Sequence, residues 1–426
     1  MAKKNILIFP AEGSNAIELH DALSTCVNIN VYGASSIERH GKYVFEKYIS
    51  NLPLISEVNF IEKFNTLLDE YSIDFVFPTH DTVVLFLAQN KDKIHAQIIG
   101  DDLYTATVCR SKIKTYELFS DCDFVPRRIV DVYGEVDYPL FAKPDEGEGG
   151  KGATKICKKE ELEKIDFASY LVTEYLPGVE YTVDCLTDKD GKLLFLSPRT
   201  RERLLAGVSV AGKTMSPTSE INQIAYVINS RLHFIGLWYF QLRQDREGKL
   251  KLLEVSQRCA GTMCLTRSLG INLPLLSVYI AAGEKVSVFC NSYIARMDRA
   301  LVGKYQLEID YDTVYIDFDD TITLNDELNL TVIRFLYQCR NKKKCIKLLT
   351  RHIYDIRETL KRYALSENLF NDIIFVSEGE DKSSYINPSA AIFIDNAYKE
   401  RMEVYSKYHI PVFDVDGVEF LLDWRF

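Results

Sequence analysis

Short apolar runs alternate with amphipathic stretches over the first hundred residues. Strand-type runs stand at 5–9, 28–32 and 75–78, and helical spacing occupies 16–23, 60–71 and 83–88. Elements that alternate at this length predict a small parallel α/β domain over residues 1–106. Ligands of such sheets bind at the carboxyl ends of the strands, where Glu12, Gly13 and Asp81 stand. We favour turn roles for these three residues, and contact with a substrate is the alternative.

From about residue 107 the pattern changes to apolar runs that pair as hairpins. Helical spacing covers 110–119, a strand enters at 124–126, and further strand-type runs occupy 171–176, 180–186, 193–196, 238–242 and 250–255. Gly191 and Gly248 mark turns between two pairs of these runs. The pattern predicts an antiparallel α+β block.

A glycine-rich loop lies between two short apolar runs within residues 138–156. Glycines in such a loop let backbone N–H groups point into one concave space, which is how a loop holds phosphate oxygens. Two lysines would add positive charge there. The alternative is a mobile, solvated hairpin tip. The residues concerned are Lys143, Gly147, Gly149, Gly150, Lys151 and Gly152.

The last hundred residues contain a second group of polar residues at strand ends. The apolar run 314–316 leads into Asp317 and Asp319, whose spacing places two carboxylates on the same side of the chain. Two close carboxylates bind a cation or share a proton. A run at 348–349 ends in Thr350, and a run at 391–394 ends in Asp395, with Lys382 between them.

Composition narrows the classes of partner. The net charge of −10 and pI of about 5.4 argue against nucleic acid, because no basic field would hold a phosphate backbone. The ten cysteines form no CxxC pair and the seven histidines no HExxH, which argues against a zinc site of those types. The start of the chain lacks the apolar core of a signal peptide, and the apolar stretch at 271–282 is too short for a membrane span. We therefore expect a cytoplasmic protein without a membrane partner.

Residues 107–304 resemble the ATP-grasp superfamily, nearest to its carbamoyl-phosphate-synthetase-like branch, and residues 1–106 resemble the domain before it in those enzymes. The resemblance implies a Rossmann-like first domain, an ATP-grasp fold with a mobile lid over about 120–176, and ATP as cofactor. It assigns ATP contacts to Lys112, Lys143, Gly147, Gly149, Gly150, Lys151, Gly152, Glu174, Tyr175, Leu176 and Glu180.

The same resemblance implies a metal site and a phosphate-binding arginine. Gln241, Glu254 and Ser256 would bind magnesium or manganese, and Arg258 would meet the transferred phosphate. The family's usual E-x-N-P-R reads EVSQR here, so Ser256 supplies a smaller oxygen ligand with less reach than asparagine.

Three further arginines are candidates for substrate binding. By resemblance, Arg199 and Arg201 border the acceptor site and could hold a substrate carboxylate through two hydrogen bonds. The alternative for them is an exposed charged strand. Arg267 follows the metal strand at a place where relatives also reach substrate.

Residues 312–426 resemble the haloacid dehalogenase (HAD) superfamily of phosphatases, without a large cap domain. The resemblance implies that Asp317 is the nucleophile and Asp319 the general acid and base. Thr350 and Lys382 would hold phosphoryl oxygens, and Asp317, Asp319 and Asp395 would form a magnesium site. Asn396 stands where many relatives have aspartate, and Glu400 is the candidate replacement.

Together the resemblances predict a bifunctional enzyme. One part would join a small carboxylate to an amine through an acyl phosphate, releasing ADP and phosphate, and the other would dephosphorylate a small molecule of the same pathway. Two alternatives stay open: a ligase with a non-catalytic HAD-like docking module, and an ATP-grasp enzyme making carbamoyl phosphate or a thioester. A homodimer is an open alternative for the assembly.

Overall fold

The computed structural model describes residues 3–100, 102–147, 149–205, 207–300 and 302–425. The chain divides into two compact units, Met1–Leu301 and Val302–Phe426. Both contain β-sheets and α-helices, so the predicted mixed α/β class is confirmed. The predicted domain bounds 1–106, 107–304 and 312–426 stay predictions, as do the Rossmann-like and HAD-like assignments. Within these residues no helix is both long and apolar enough to span a membrane.

The first unit begins with five parallel strands in the order β3-β2-β1-β4-β5. The strands are β1 (Lys4–Phe9), β2 (Ile29–Ala34), β3 (Lys47–Ile49), β4 (Phe75–Pro78) and β5 (Gln97–Ile98). The helices are α1 (Gly13–Leu23), α2 (Phe60–Glu70) and α3 (Asp81–Gln89). Because β1 and β4 are parallel neighbours, the residues that follow them, Glu12 and Asp81, lie at the same edge of the sheet. The two edge strands were not predicted, since they are only two or three residues long.

Next come α4 (Leu103–Arg110), α5 (Lys112–Leu118) and a four-stranded antiparallel sheet in the order β6-β9-β7-β8. Its strands are β6 (Arg128–Ile129), β7 (Leu140–Pro144), β8 (Thr154–Ile156) and β9 (Tyr170–Glu174), with α6 at Lys159–Leu162. The helix predicted over 110–119 is confirmed as α5, except that it begins at Lys112 and a separate helix, α4, ends at Arg110. Ser111 ends α4 and caps α5 by accepting a hydrogen bond from the backbone N–H of Lys114, so the chain bends there.

The remainder of the first unit is built on a second antiparallel sheet. Its elements are β10 (Glu180–Thr187), β11 (Leu193–Thr200), β12 (Arg203–Leu205), β13 (Val208–Lys213), α7 (Ser219–Arg231), β14 (Gly236–Gln244), β15 (Leu250–Ser256), α8 (Cys264–Arg267), α9 (Leu273–Ala281) and β16 (Arg296–Asp298). The main sheet has the order β11-β10-β14-β15, and a smaller one β12-β13-β16. Apolar residues of α7 pack on one face, around the fully buried Trp238.

The second unit contains a parallel five-stranded sheet in the order β21-β20-β17-β22-β23. Its elements are β17 (Thr313–Ile316), β18 (Thr323–Leu324), β19 (Glu327–Leu328), α10 (Leu330–Asn341), β20 (Cys345–Thr350), α11 (Ile356–Arg362), β21 (Asp372–Phe375), β22 (Ala391–Ile394), α12 (Tyr398–Tyr408) and β23 (Val412–Phe413). Of the three central strands, β20 ends at Thr350, while Asp317 and Asp395 are the first residues after β17 and β22. Their parallel arrangement therefore brings these side chains to one edge of the sheet.

Candidate functional sites

A cavity of about 220 Å³ lies in the first unit and brings most of the predicted ATP contacts together. We call it the first cavity. Gly152, the remaining member of that set, is not among the described lining residues. The predicted contacts that line it are Lys112, Lys143, Gly147, Gly149, Gly150, Lys151, Glu174, Tyr175, Leu176 and Glu180.

Two of the lysines that line the first cavity, Lys112 and Lys143, are fixed by hydrogen bonds. The Lys143 ammonium lies 3.1 Å from the Tyr116 hydroxyl oxygen and donates to the Leu253 carbonyl at 2.8 Å. Lys112 donates to the carbonyl of Gly147 at 2.7 Å. Burial, and then the charge of Lys112, lower the pKa of Lys143 to about 7. An anion that binds beside Lys143 would raise this pKa again and restore the positive charge of the side chain.

The glycine loop adopts backbone conformations that favour glycine. Gly149, Gly150 and Gly152 have φ values of 57°, 70° and 77°. The hairpin β12–β13 approaches this loop so closely that a Cβ atom on Gly207 would overlap the carbonyl oxygen of Gly149. Arg201 donates a hydrogen bond of 3.0 Å to the Gly207 carbonyl. Loop and hairpin thus close over the cavity from two sides.

Glu174 and Glu180, the two acids predicted to contact ATP, already have partners within the protein. The Glu174 carboxylate accepts from the backbone N–H of Arg127 at 2.8 Å. Glu180 pairs with Arg201 at 3.1 Å and with Arg243 at 3.7 Å. Two arginines beside one carboxylate leave Glu180 with oxygen lone pairs free to accept further hydrogen bonds from a ligand.

Gln241 and Glu254 are direct partners across the antiparallel strands β14 and β15. Cross-strand partners project on the same face of a sheet, and both residues line the first cavity. An amide and a carboxylate oxygen are donors that suit magnesium bound together with substrate phosphate, so the pair fits the implied metal. No group of three or more His, Cys, Asp or Glu side chains that could hold a metal occurs within the described residues.

Ser256, the third predicted ligand, is placed differently. Its hydroxyl donates to the Asp81 carboxylate at 2.8 Å, and its side chain is buried. It does not line the first cavity or the larger cavity beside it, so far as the lining residues are described. The Ser256 hydroxyl donates its proton to Asp81, and its assignment as a metal ligand stays a prediction.

A second cavity of about 500 Å³ adjoins the first. The two share Gly149, Gly150, Arg201, Gly207, Gln241 and Glu254. The second cavity is also lined by Arg258 and by Glu12 from the first parallel sheet. Glu12 accepts hydrogen bonds from the hydroxyl of Tyr48 at 2.9 Å and of Ser35 at 3.2 Å. Gly13 lines this cavity as well, and Asp81 pairs with its lining residue Arg258, so all three residues for which we favoured turn roles lie at or beside it.

Of the three predicted substrate arginines, Arg201 is the one found among the described lining residues of the two cavities. Arg201 lines both. Arg199 is 1% exposed, and its guanidinium pairs with the buried Asp184. Arg267 pairs with Glu18 of α1 at 2.9 Å. Ion pairs therefore occupy both guanidinium groups, and the substrate role of Arg199 and Arg267 stays a prediction. The alternative of an exposed strand does not fit the buried Arg199.

The second unit holds a buried trio of charged residues. The Lys382 ammonium donates to Asp317 at 2.8 Å and to Asp395 at 2.6 Å. Burial raises the pKa of Asp317 to about 6; the charge of Lys382 opposes this and that of Asp395 adds to it. Thr350 is fully buried beside them and accepts from the backbone N–H of His352 at 3.0 Å. Two carboxylates that repel one another fit a divalent cation.

Asp319 lies outside this trio, at the rim of a cavity of about 690 Å³. The Nδ1 atom of His352 lies 2.9 and 3.0 Å from its two carboxylate oxygens. The Nε2 atom of His352 lies 2.8 Å from the Thr359 hydroxyl. The His352 side chain is 7% exposed and so holds Asp319 in one direction. Sequence reasoning missed this histidine, although it stands two residues after Thr350.

The two candidates for the last acid of this site are engaged elsewhere. Glu400 pairs with Arg351 at 3.1 Å. The backbone N–H of Asn396 donates to the Thr321 hydroxyl at 3.1 Å. The charge of Glu400 nevertheless contributes to raising the pKa of Asp395, after the larger effect of burial, so its role as the replacement acid stays a prediction.

Comparisons with known proteins agree with the fold of the first unit. A family profile described as ATP-grasp in the biosynthetic pathway with Ter operon matches residues 166–299. It ends before the second unit, whose resemblance to HAD phosphatases stays a prediction. A search of curated proteins by sequence gave no match.

Solved structures resemble the chain at low identity. Biotin carboxylase from Campylobacter jejuni has a TM-score of 0.55 and 15% identity over 67% of this chain and 72% of that chain. N5-carboxyaminoimidazole synthetase from Staphylococcus aureus, complexed with ADP, has a TM-score of 0.55 and 13% identity over 67% and 79%. L-amino acid ligase from Bacillus licheniformis has a TM-score of 0.52 and 18% identity over 66% and 75%. The chain therefore has a mixed α/β fold similar to those of these structures, and its residues 166–299 match an ATP-grasp profile.

Proposed function

We propose that the first unit is an ATP-dependent carboxylate–amine ligase that works through an acyl phosphate. The observation that carries this is the pair of adjoining cavities. The first presents Lys112, Lys143 and the glycine loop, and the second presents Arg258, with Gln241 and Glu254 between them. The names of two similar structures, an L-amino acid ligase and a synthetase, support the same reaction class.

The residues divide the work along the two cavities. Lys112 and Lys143 bind phosphate oxygens, and the glycine loop contributes backbone N–H groups above them. Gln241 and Glu254 would hold magnesium, which would neutralise charge on the phosphates when bound. Arg258 lies in the second cavity, where a substrate carboxylate would accept the γ-phosphoryl group. Positioning and charge neutralisation supply most of the catalysis in such transfers.

We propose that the second unit is a magnesium-dependent phosphohydrolase of the HAD type. Asp317, Thr350 and Asp395 at the ends of adjacent parallel strands support this, together with Lys382 between the two carboxylates. Asp317 would attack phosphorus while Asp319 protonates the departing alkoxide. Asp319 would then take a proton from the water that hydrolyses the aspartyl phosphate. The phosphorylated substrate would enter through the cavity beside Asp319.

The two activities can be tested in one protein by phosphorus NMR. Wild-type protein with ATP, magnesium and a pool of amino acids and small carboxylates should form ADP and phosphate only when the pool is present. Lys143→Ala should abolish ADP formation and leave aryl phosphate hydrolysis intact, whereas Asp317→Asn should do the reverse.

Matched controls are exposed residues of the same type. Lys164→Ala and Asp372→Asn change exposed side chains outside the described cavity linings, and both activities should survive them. Pool-independent ATP consumption would contradict the ligase. Hydrolysis that persists in Asp317→Asn would contradict the phosphohydrolase.

A further inference from the structure

Arg258 and Asp81 form a two-point ion pair at the wall of the second cavity. The Nε atom of Arg258 donates to Oδ1 of Asp81 at 3.0 Å, and its Nη2 atom donates to Oδ2 at 2.9 Å. Asp81 is the first residue of α3, and Arg258 follows β15 by two residues. The pair therefore joins the parallel sheet to the strand that carries Glu254, across 177 residues of sequence.

The surroundings of the pair fix the guanidinium plane. The Ser256 hydroxyl adds a hydrogen bond of 2.8 Å to Oδ1 of Asp81. The Tyr239 ring lies 5.4 Å from the centre of the Arg258 guanidinium, a distance at which a cation and a ring attract each other. The hydroxyl of Tyr239 lies 3.4 Å from the Glu254 carboxylate. Arg258 is thus held by the charge of Asp81 and by the ring of Tyr239, whose hydroxyl lies beside Glu254 on β15.

Hydrogen-bond counting leaves part of Arg258 free for a ligand. A guanidinium has five N–H donors in a rigid plane. Two go to Asp81, and one goes to the Cys259 carbonyl at 3.3 Å. Two N–H donors of Arg258 therefore remain for a ligand, and Arg258 lines the second cavity. Burial alone would raise the pKa of Asp81, but the charge and hydrogen bonds of Arg258 hold that pKa below its ordinary value, so the carboxylate stays ionised.

We propose that Asp81 is a positioning residue of the ligase, which aims the free N–H groups of Arg258 at the phosphoryl group in transfer. The inference rests on the proposed function of the first unit. Asp81 itself touches no reacting atom in this scheme. It acts by holding the plane of Arg258, so its loss should slow the chemical step more than it weakens ATP binding in the first cavity.

The test is steady-state kinetics of Asp81→Asn, which keeps the side-chain shape and removes the charge. We expect kcat to fall about 10- to 100-fold, with the KM for ATP changed less than about twofold. Arg258→Lys should cause a loss of similar size, because lysine has no planar fork. The double variant should be no slower than the worse single variant, since both changes remove one interaction. Asp81→Glu, which keeps the charge, should recover part of the lost rate.

The matched control is Asp121→Asn, which breaks another two-point pair, with Arg231, at 2.6 and 2.8 Å. Neither residue lines the two cavities as described. A merely structural role for Asp81 would lower the melting temperature without the selective loss in kcat, and that result would overturn the inference. Additive losses in the double variant would overturn it as well. Wild-type protein that forms no pool-dependent ADP would instead overturn the proposed ligase itself.

Discussion

Lys143 and Lys112 line the same cavity, and the charge of Lys112 helps to hold the pKa of Lys143 near 7, after the larger effect of burial. A polyphosphate binds the charged form of Lys143, so binding should draw a proton from solvent when the pH is above about 7. We expect the affinity for magnesium-ADP to fall as the pH rises from 7 to 9, by at most about tenfold per pH unit. Calorimetry at several pH values in two buffers of different ionisation enthalpy would measure both the affinity and the proton uptake.

Lys143→Arg is the control for this pH dependence, because a guanidinium stays charged throughout the range. The variant should bind magnesium-ADP with a nearly flat pH profile and no proton uptake from this position. A profile as steep as that of the wild type would show that another group titrates.

The ionised form of Asp317 should weaken the fold of the second unit. Its pKa of about 6 in the folded protein lies above its ordinary value of 3.8. The folded state therefore binds this proton more strongly, and the stabilisation is complete below the ordinary value and lost as the pH rises through 6. Asp317→Asn should raise the unfolding free energy at pH 7 by up to about 3 kcal/mol, while abolishing phosphate ester hydrolysis. Urea unfolding of the full chain at pH 5 and pH 7 would measure the difference.

The size of this effect should shrink at pH 5, where the wild-type carboxyl is mostly protonated already. Asp372→Asn, on the exposed start of β21, should change stability little at either pH. A variant equally stabilised at both pH values would contradict the titration of Asp317 as the cause.

Much of the architecture follows from local sequence, whereas several roles do not. The glycine loop, the two lysines of the first cavity and the acids that follow β17 and β22 were found from strand ends, turn residues and family motifs. The pairing of Arg199 and Arg267 with Asp184 and Glu18 was not predicted, because these partners lie 15 and 249 residues away in sequence. No local pattern reveals that a charged side chain is neutralised by a buried one across the fold.

Gly207 should be needed for closure over the first cavity. Its φ of 78° and its contact with the Gly149 carbonyl leave no space for a Cβ atom. We expect Gly207→Ala to separate the hairpin from the glycine loop and to raise the KM for ATP about tenfold, with the rest of the fold retained. Steady-state kinetics and thermal melting would separate the local effect from unfolding.

Gly191 provides the comparison, since its φ of 82° is similar but no atom lies within 4 Å of the place that a Cβ atom would occupy. Gly191→Ala should cost a similar backbone strain without changing the KM for ATP. Equal changes in KM for the two variants would argue against a role for the hairpin contact.

His352 should position Asp319 for proton transfer. Replacing it by phenylalanine keeps a ring beside Phe318, 5.3 Å away between centroids, but removes the hydrogen bonds to Asp319 and Thr359. We expect His352→Phe to lower kcat about tenfold for an alkyl phosphate and less for a nitrophenyl phosphate, whose leaving group needs no proton. Hydrolysis of the two esters by wild type and variant would give the ratio.

Tyr354→Phe alters another residue of the same cavity without touching Asp319 by any described hydrogen bond. It should reduce hydrolysis of the two esters by the same factor, if at all. The same uniform loss in His352→Phe would show that the histidine does not serve the proton donor.

The contacts of Lys382 have a consequence for how the second unit would bind the magnesium proposed for it. With an ammonium 2.8 Å from Asp317 and 2.6 Å from Asp395, the site carries its own internal counter-ion. The repulsion between the two carboxylates is therefore balanced before any divalent cation arrives. Removing magnesium with a chelator should stop hydrolysis and leave the parallel sheet of the second unit folded. Metal supply would then control activity reversibly without being required for folding.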